Sequence, residues 1–69
     1  MSYQIHSKFT IPPIEYCNSI KEVKQSLAEI VYDEGKEALN NLTVTNKQDL
    51  TLYLDENTDI NTISKEDFE

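Results

Sequence analysis

The sequence has no arginine, no tryptophan, one glycine, one cysteine and one histidine among its 69 residues. A phosphate-binding loop or a dinucleotide fingerprint needs several glycines at fixed spacing, so both are excluded. Cys17 cannot form a disulfide within the chain, and together with His6 it fills only half of a tetrahedral zinc site. We therefore expect no cofactor.

Catalytic groups are equally scarce. Nucleophilic catalysis needs a nucleophile, a base and a group that orients the base. Cys17 and His6 form one conceivable pair, and the alternative interpretation is a small, semi-buried thiol that fills space and a separate surface histidine. A chain of this length also has little room for a cleft that excludes water. We expect no catalytic residues and no enzymatic activity.

Carboxylates dominate the charge. Thirteen Asp and Glu residues oppose six lysines, which gives a net charge of -7. Residues 42–69 carry seven of the acids and two of the lysines. Such a surface repels nucleic acid and anionic membrane, so the partner expected of it is a basic protein surface. The alternative is that the acidity serves only solubility.

The sequence favours a cytoplasmic location. The N-terminus has no charged segment followed by an apolar run, so we expect no signal peptide. No apolar stretch approaches the roughly 20 residues that span a bilayer. A single free thiol suits a reducing compartment.

Hydrophobic periodicity predicts one strand and then one helix. Apolar side chains alternate at Tyr3, Ile5, Phe9 and Ile11, which predicts a half-buried strand that ends at Pro12-Pro13. Residues 14–17 are predicted as a connector. Ser19 and Glu22 have the spacing of a capping box, and an apolar stripe at helical spacing follows them. We expect the helix to end near residues 33–35, with residues 36–41 as a further turn or a bent continuation.

The second half of the chain predicts a β-hairpin. Residues 42–45 and 50–54 alternate apolar and polar side chains around a polar turn at residues 46–49. Leu50, Leu52 and Leu54 are expected to face the helix. The acidic tail, residues 56–69, is expected to be partly disordered or to add a short edge strand near Ile60–Ile63. The prediction is a single α+β domain over residues 1–69 in the order β-α-β-β. One amphipathic helix packs on a three- or four-stranded, mostly antiparallel sheet.

Two groups of oxygen-bearing side chains are candidate sites. In the first, the spacing resembles that of the calcium loop of an EF-hand, although Ile60 stands where that loop needs glycine. The residues of this candidate metal loop are Asp55, Asn57, Asp59, Asn61 and Glu66. An ordinary solvated acidic turn is the alternative.

The second group is a candidate docking surface. Glu22, Glu29 and Asp33 fall on one side of the predicted helix, at intervals that let carboxylates imitate a row of phosphates. An ordinary solvated helix face is the alternative. The predicted electrostatic residues are Glu22, Glu29, Asp33, Asp55, Glu56 and Asp59, and the predicted aromatic anchors are Tyr32 and Tyr53.

The outline resembles the small acidic inhibitors that bacteriophages and other mobile elements make against host enzymes. The segments that carry this resemblance are the strand ending in residues 9–16, the capped acidic helix and the hairpin strand with its acidic end, residues 50–56. The resemblance implies a non-enzymatic inhibitor or regulator of a nucleic-acid-handling protein. The acidic charge adds the expectation of no direct contact to nucleic acid or membrane. Lysine without arginine, together with six asparagines, suggests an AT-rich genome. The alternatives are an assembly protein that forms a homodimer through a sheet edge and a calcium-responsive protein.

Overall fold

One helix packs on one face of a four-stranded antiparallel sheet with the strand order β2-β1-β3-β4. The computed structural model describes residues 2–68; Met1 and Glu69, the two ends of the predicted domain, lie outside the described residues. The elements are β1 (Tyr3–Ser7), β2 (Glu15–Cys17), α1 (Ile20–Glu34), β3 (Leu42–Asn46) and β4 (Thr51–Tyr53). The predicted α+β class, with one helix on an antiparallel sheet, is confirmed.

The fourth strand lies before the helix, where the sequence predicted a connector. β2 pairs with β1, with Cys17 opposite Tyr3 and Glu15 opposite Ile5. The element order is therefore β-β-α-β-β, and the predicted β-α-β-β order lacked its second strand. Backbone pairing and one buried side chain, that of Cys17, hold this strand. Three residues are too few to show a period in the sequence.

The first strand ends four residues earlier than predicted. The Ser7 hydroxyl accepts a hydrogen bond from the Phe9 N–H at 3.2 Å, and the Thr10 N–H donates to the Ser7 carbonyl at 3.4 Å. These bonds close a turn directly after β1. Phe9 and Ile11 consequently leave the core face and are 78% and 97% exposed.

Both ends of α1 lie where the sequence predicted them. The Ser19 hydroxyl accepts from the Glu22 N–H at 3.2 Å, while the Glu22 carboxylate accepts from the Asn18 N–H, one residue earlier than in a capping box. Gly35 ends the helix with φ at 91°. The predicted further turn is a 3₁₀ helix, Lys36–Asn41, which we call the junction helix because it joins α1 to β3.

The hairpin is confirmed, but one of its leucines is not in the core. The Asn46 side chain shapes the turn by accepting from the N–H groups of Gln48 and Leu50, at 2.9 and 3.0 Å. Leu54 is buried and Leu52 packs against the core, as expected. Leu50 is exposed because it still belongs to the turn, so its predicted position facing the helix was wrong.

The acidic tail closes the core. Instead of the predicted edge strand near Ile60–Ile63, it forms two short 3₁₀ helices, Ile60–Thr62 and Lys65–Asp67. Ile63 and Phe68 are buried, and the Phe68 ring centroid lies 5.5 Å from that of Tyr3. The tail thus covers core surface that α1 leaves open. No helix within residues 2–68 combines the length and the apolarity that a membrane crossing requires.

Candidate protein-docking surface

Exposed carboxylates lie on three neighbouring chain segments: the last turn of α1, the junction helix, which also carries the exposed Lys36, and the turn after β4. Two hydrogen bonds bring the segments together: the Asn40 side chain accepts from the Glu56 N–H at 2.9 Å, and the Leu54 N–H donates to the Leu42 carbonyl at 3.4 Å. These bonds hold the turn after β4 beside the C-terminal end of the junction helix. The group, which we call the acidic end, consists of Asp33, Glu34, Glu37, Asp55 and Glu56.

Two residues of the acidic end occupy positions where a carboxylate destabilises the helix. Asp33 and Glu34 lie in the last turn of α1, which contains no basic residue. The negative end of the helix dipole disfavours carboxylates there, at a cost of roughly 0.3–1 kcal/mol each. These two side chains therefore add charge to the surface without stabilising the fold. Glu34 and Glu37 were not among the predicted docking residues. Their positions on either side of Gly35, the predicted end of the helix, could have indicated them.

The three helix carboxylates that were predicted to form one row lie toward opposite ends of α1. Glu29 is exposed on the outer side of α1, next to Tyr32, whose side chain is 90% exposed. Asp33 continues this side into the acidic end. Glu22 is half-buried at the opposite end of the helix, where its carboxylate binds the Asn18 N–H. Glu29 and Asp33 thus remain candidates for one surface, and Glu22 has a structural role.

The two predicted aromatic anchors lie on opposite sides of the molecule. Tyr32 is on the outer side of α1. Tyr53 is opposite Thr43 in the sheet, on the face that points away from α1 and also carries His6. We call this side the outer sheet face. A single flat partner surface cannot contact both tyrosines.

The candidate metal loop forms separate turns. Asp55 accepts from the Asn57 N–H at 2.8 Å, and Asp59 accepts from the Asn61 N–H at 3.0 Å. The Glu66 carboxylate accepts from the Ser64 hydroxyl, which lowers the pKa of Glu66. Within the described chain, no three Asp, Glu, His or Cys side chains are grouped to hold a metal. The five side chains of the candidate metal loop therefore do not form one metal-binding centre.

The sheet separates the two groups of the conceivable nucleophilic pair. The Cys17 sulfur is buried on the inner face, 3.7 Å from the Ser26 hydroxyl. Burial raises the pKa of the Cys17 thiol, which favours the protonated, unreactive form. His6 lies on the outer sheet face, where its Nε2 is 3.1 Å from the Thr45 hydroxyl. The fold does not bring the two groups together.

An apolar groove adjoins the acidic end, between the β1–β2 loop and the end of α1. We call it the loop groove. Its apolar lining is Phe9, Ile14, Ile30, Ala38 and Leu42, and Glu34 lies at its edge. Sequence reasoning missed this feature because it assigned Phe9 to a buried strand face. The usable signal was Ser7, the one polar residue on that face, because serine favours turns.

Three comparisons were made, with known protein families, with characterised proteins and with solved structures. None found a match. The candidate function therefore rests on the surface itself: the acidic end, the outer side of α1 and the loop groove.

Proposed function

We propose that this chain is a non-enzymatic inhibitor or regulator that docks, through the acidic end, on the basic surface of a nucleic-acid-handling protein. The observation that supports the proposal is that three neighbouring segments, joined by a hydrogen bond from Glu56 to Asn40, carry five exposed carboxylates and one lysine, Lys36. A local excess of one charge steers a partner of opposite charge and raises its association rate.

The outer side of α1 extends this surface. With a rise of 1.5 Å per residue, the Cα atoms of Glu29 and Asp33 lie about 6 Å apart along the helix axis. Carboxylates at such intervals imitate successive phosphates, so a site built for a nucleic-acid chain can accept them. Tyr32 lies between them on the same side and supplies an exposed aromatic ring, a frequent anchor at protein interfaces.

A second candidate function is an assembly protein that forms a homodimer through the edge of β4. In the β3–β4 ladder, the Asn46 N–H donates to the Leu50 carbonyl, and the Leu54 N–H donates to the Leu42 carbonyl. Because backbone groups in an antiparallel ladder point alternately toward and away from the neighbouring strand, those of Thr51 and Tyr53 point away from β3. This edge can accept another strand. Two copies at -7 each repel one another, which favours the first candidate. Sedimentation equilibrium distinguishes them, because only the second requires a stable dimer.

The proposal is tested by affinity capture with two variants of equal net charge. The acidic-end variant replaces all five carboxylates of that group by Asn or Gln. The control variant carries Glu15→Gln, Asp49→Asn, Asp59→Asn, Glu66→Gln and Asp67→Asn, all outside the acidic end. Each set removes five negative charges, so both variants change from -7 to -2.

The capture uses a lysate of a low-GC bacterium and elution with a salt gradient. We expect the wild type and the control variant to retain the same nucleic-acid-handling protein, and the acidic-end variant to lose it. Equal loss with both variants would show that overall charge matters and its placement does not. Retention by all three chains would refute the acidic end as the docking surface.

A further inference from the structure

The β1–β2 loop presents apolar side chains to solvent in a fixed conformation. Phe9 and Ile11 are largely exposed, and Ile14 is partly exposed. The loop is tied down at both ends: the Lys8 N–H donates to the Asn41 carbonyl at 2.9 Å, and the Ile14 N–H donates to the Ile5 carbonyl at 2.8 Å. Pro12-Pro13 restrict its backbone further. Such a loop loses little conformational entropy when a partner binds it.

The loop groove joins this apolar surface to the acidic end. The half-buried side chain of Ile30 and the buried side chain of Leu42 lie among its lining residues, and Phe9 lines it from the loop. Glu34 is the one charged residue among the described residues that line the groove. Glu34 also belongs to the acidic end, so an apolar contact and a charged contact are available within one site.

We infer that the loop groove binds a basic segment of the partner protein, with an apolar side chain in the groove and a neighbouring Lys or Arg paired with Glu34. This inference rests on the proposed function and adds the kind of segment that is recognised. Charge complementarity selects the occupant. A second copy of this chain would bring one acidic end against another, whereas a basic segment places opposite charges together at the edge of the groove.

The test is a selection of displayed random peptides against the full-length chain. Selected peptides are then measured by titration against four chains: the wild type, Phe9→Ser, Glu34→Lys and Tyr53→Ser. Tyr53 is the matched control because its side chain is 78% exposed, the same as Phe9, but lies on the outer sheet face. Circular dichroism serves to check that each variant is folded, which we expect because the three replaced side chains are exposed.

We expect the selected peptides to combine Lys or Arg with Leu, Ile or Phe. Their affinity should fall at least tenfold with Phe9→Ser and with Glu34→Lys, and should stay within twofold with Tyr53→Ser. Amide shifts in labelled protein should centre on Phe9, Ile14, Ile30 and Ala38.

The other outcomes separate the groove from the acidic end. Selection of basic peptides that need no apolar residue, and that bind Phe9→Ser as tightly as the wild type, would refute the inference about the groove. The proposed docking function would still hold. Selection of neutral or acidic peptides would contradict both the inference about the groove and the proposed docking function. Peptides that bind the outer sheet face, or a selection that enriches nothing, would overturn the inference about the groove.

Discussion

Gly35 joins α1 to the junction helix in a conformation that only glycine adopts readily, with φ at 91° and ψ at 161°. A Cβ atom at this position would lie 3.5 Å from Glu37 Oε2, an ordinary van der Waals contact. The cost of Gly35→Ala is therefore expected in the backbone and not in a clash.

The size of the effect follows from two opposing terms. A side chain in this backbone region costs about 1–3 kcal/mol. Alanine also restricts the unfolded chain, which returns about 0.4–1 kcal/mol. We expect Gly35→Ala to lower the free energy of unfolding by about 1–2 kcal/mol and Tm by roughly 5–15 °C. A domain of this length has roughly 3–10 kcal/mol in all, so the loss is large.

The assay is urea and thermal unfolding followed by circular dichroism. The control is a synthetic chain with D-alanine at position 35, assembled by ligation at Cys17, because D-alanine adopts positive φ without strain. We expect the D-alanine chain to be at least as stable as the wild type. If Gly35→Ala matched the wild type, or if both alanine chains lost stability equally, backbone strain at the junction would be the wrong explanation.

Three further perturbations test the fold that carries the surface. Ser19→Ala removes the acceptor for the Glu22 N–H and should cost about 1 kcal/mol in urea unfolding; an unchanged midpoint would contradict the cap. Phe68→Ala should cost about 3–5 kcal/mol and release the tail in hydrogen exchange, whereas retained protection around Ile63 would show that the tail is held otherwise. Burial raises the pKa of Cys17 in the folded chain above its value in the unfolded chain. The stability that the neutral thiol contributes should therefore be fully present below the unfolded pKa and should fall as pH rises through the raised folded pKa. The pH dependence of unfolding in Cys17→Ala should lack this alkaline decline.

Local chemistry made part of the fold predictable. The helix was located from Ser19 and Gly35 because caps act through adjacent backbone groups, and the hairpin from two alternating segments around a polar turn. These signals lie within a few residues of the structure they specify. The confirmed elements are the ones with such local signals.

The errors arose where tertiary contacts decide. β2 is too short to show a period and exists because Cys17 lies opposite Tyr3 in the sheet. The tail packs on the core through the buried side chains of Ile63 and Phe68, which no local pattern in residues 56–69 reveals. Phe9 fits a strand period, but the side-chain bond of Ser7 ends the strand first.

The candidate site was predictable in its charge and not in its shape. The surplus of acids and the position of Asp33, Asp55 and Glu56 on exposed segments followed from composition and pattern. That the turn after β4 lies beside the junction helix depends on two long-range hydrogen bonds, from the Glu56 N–H to the Asn40 side chain and from the Leu54 N–H to the Leu42 carbonyl. Tyr53 points away from α1 because successive side chains of β4 alternate between the two faces of the sheet.

The most direct test of the docking surface is the association rate constant with the captured partner, measured against ionic strength for the wild type, the acidic-end variant and the control variant. We expect the rate for the wild type and the control variant to fall steeply as salt is added, and the acidic-end variant to associate at least tenfold more slowly at low salt with a nearly flat dependence. Three parallel salt profiles of equal rate would contradict the claim that these five carboxylates form the docking surface.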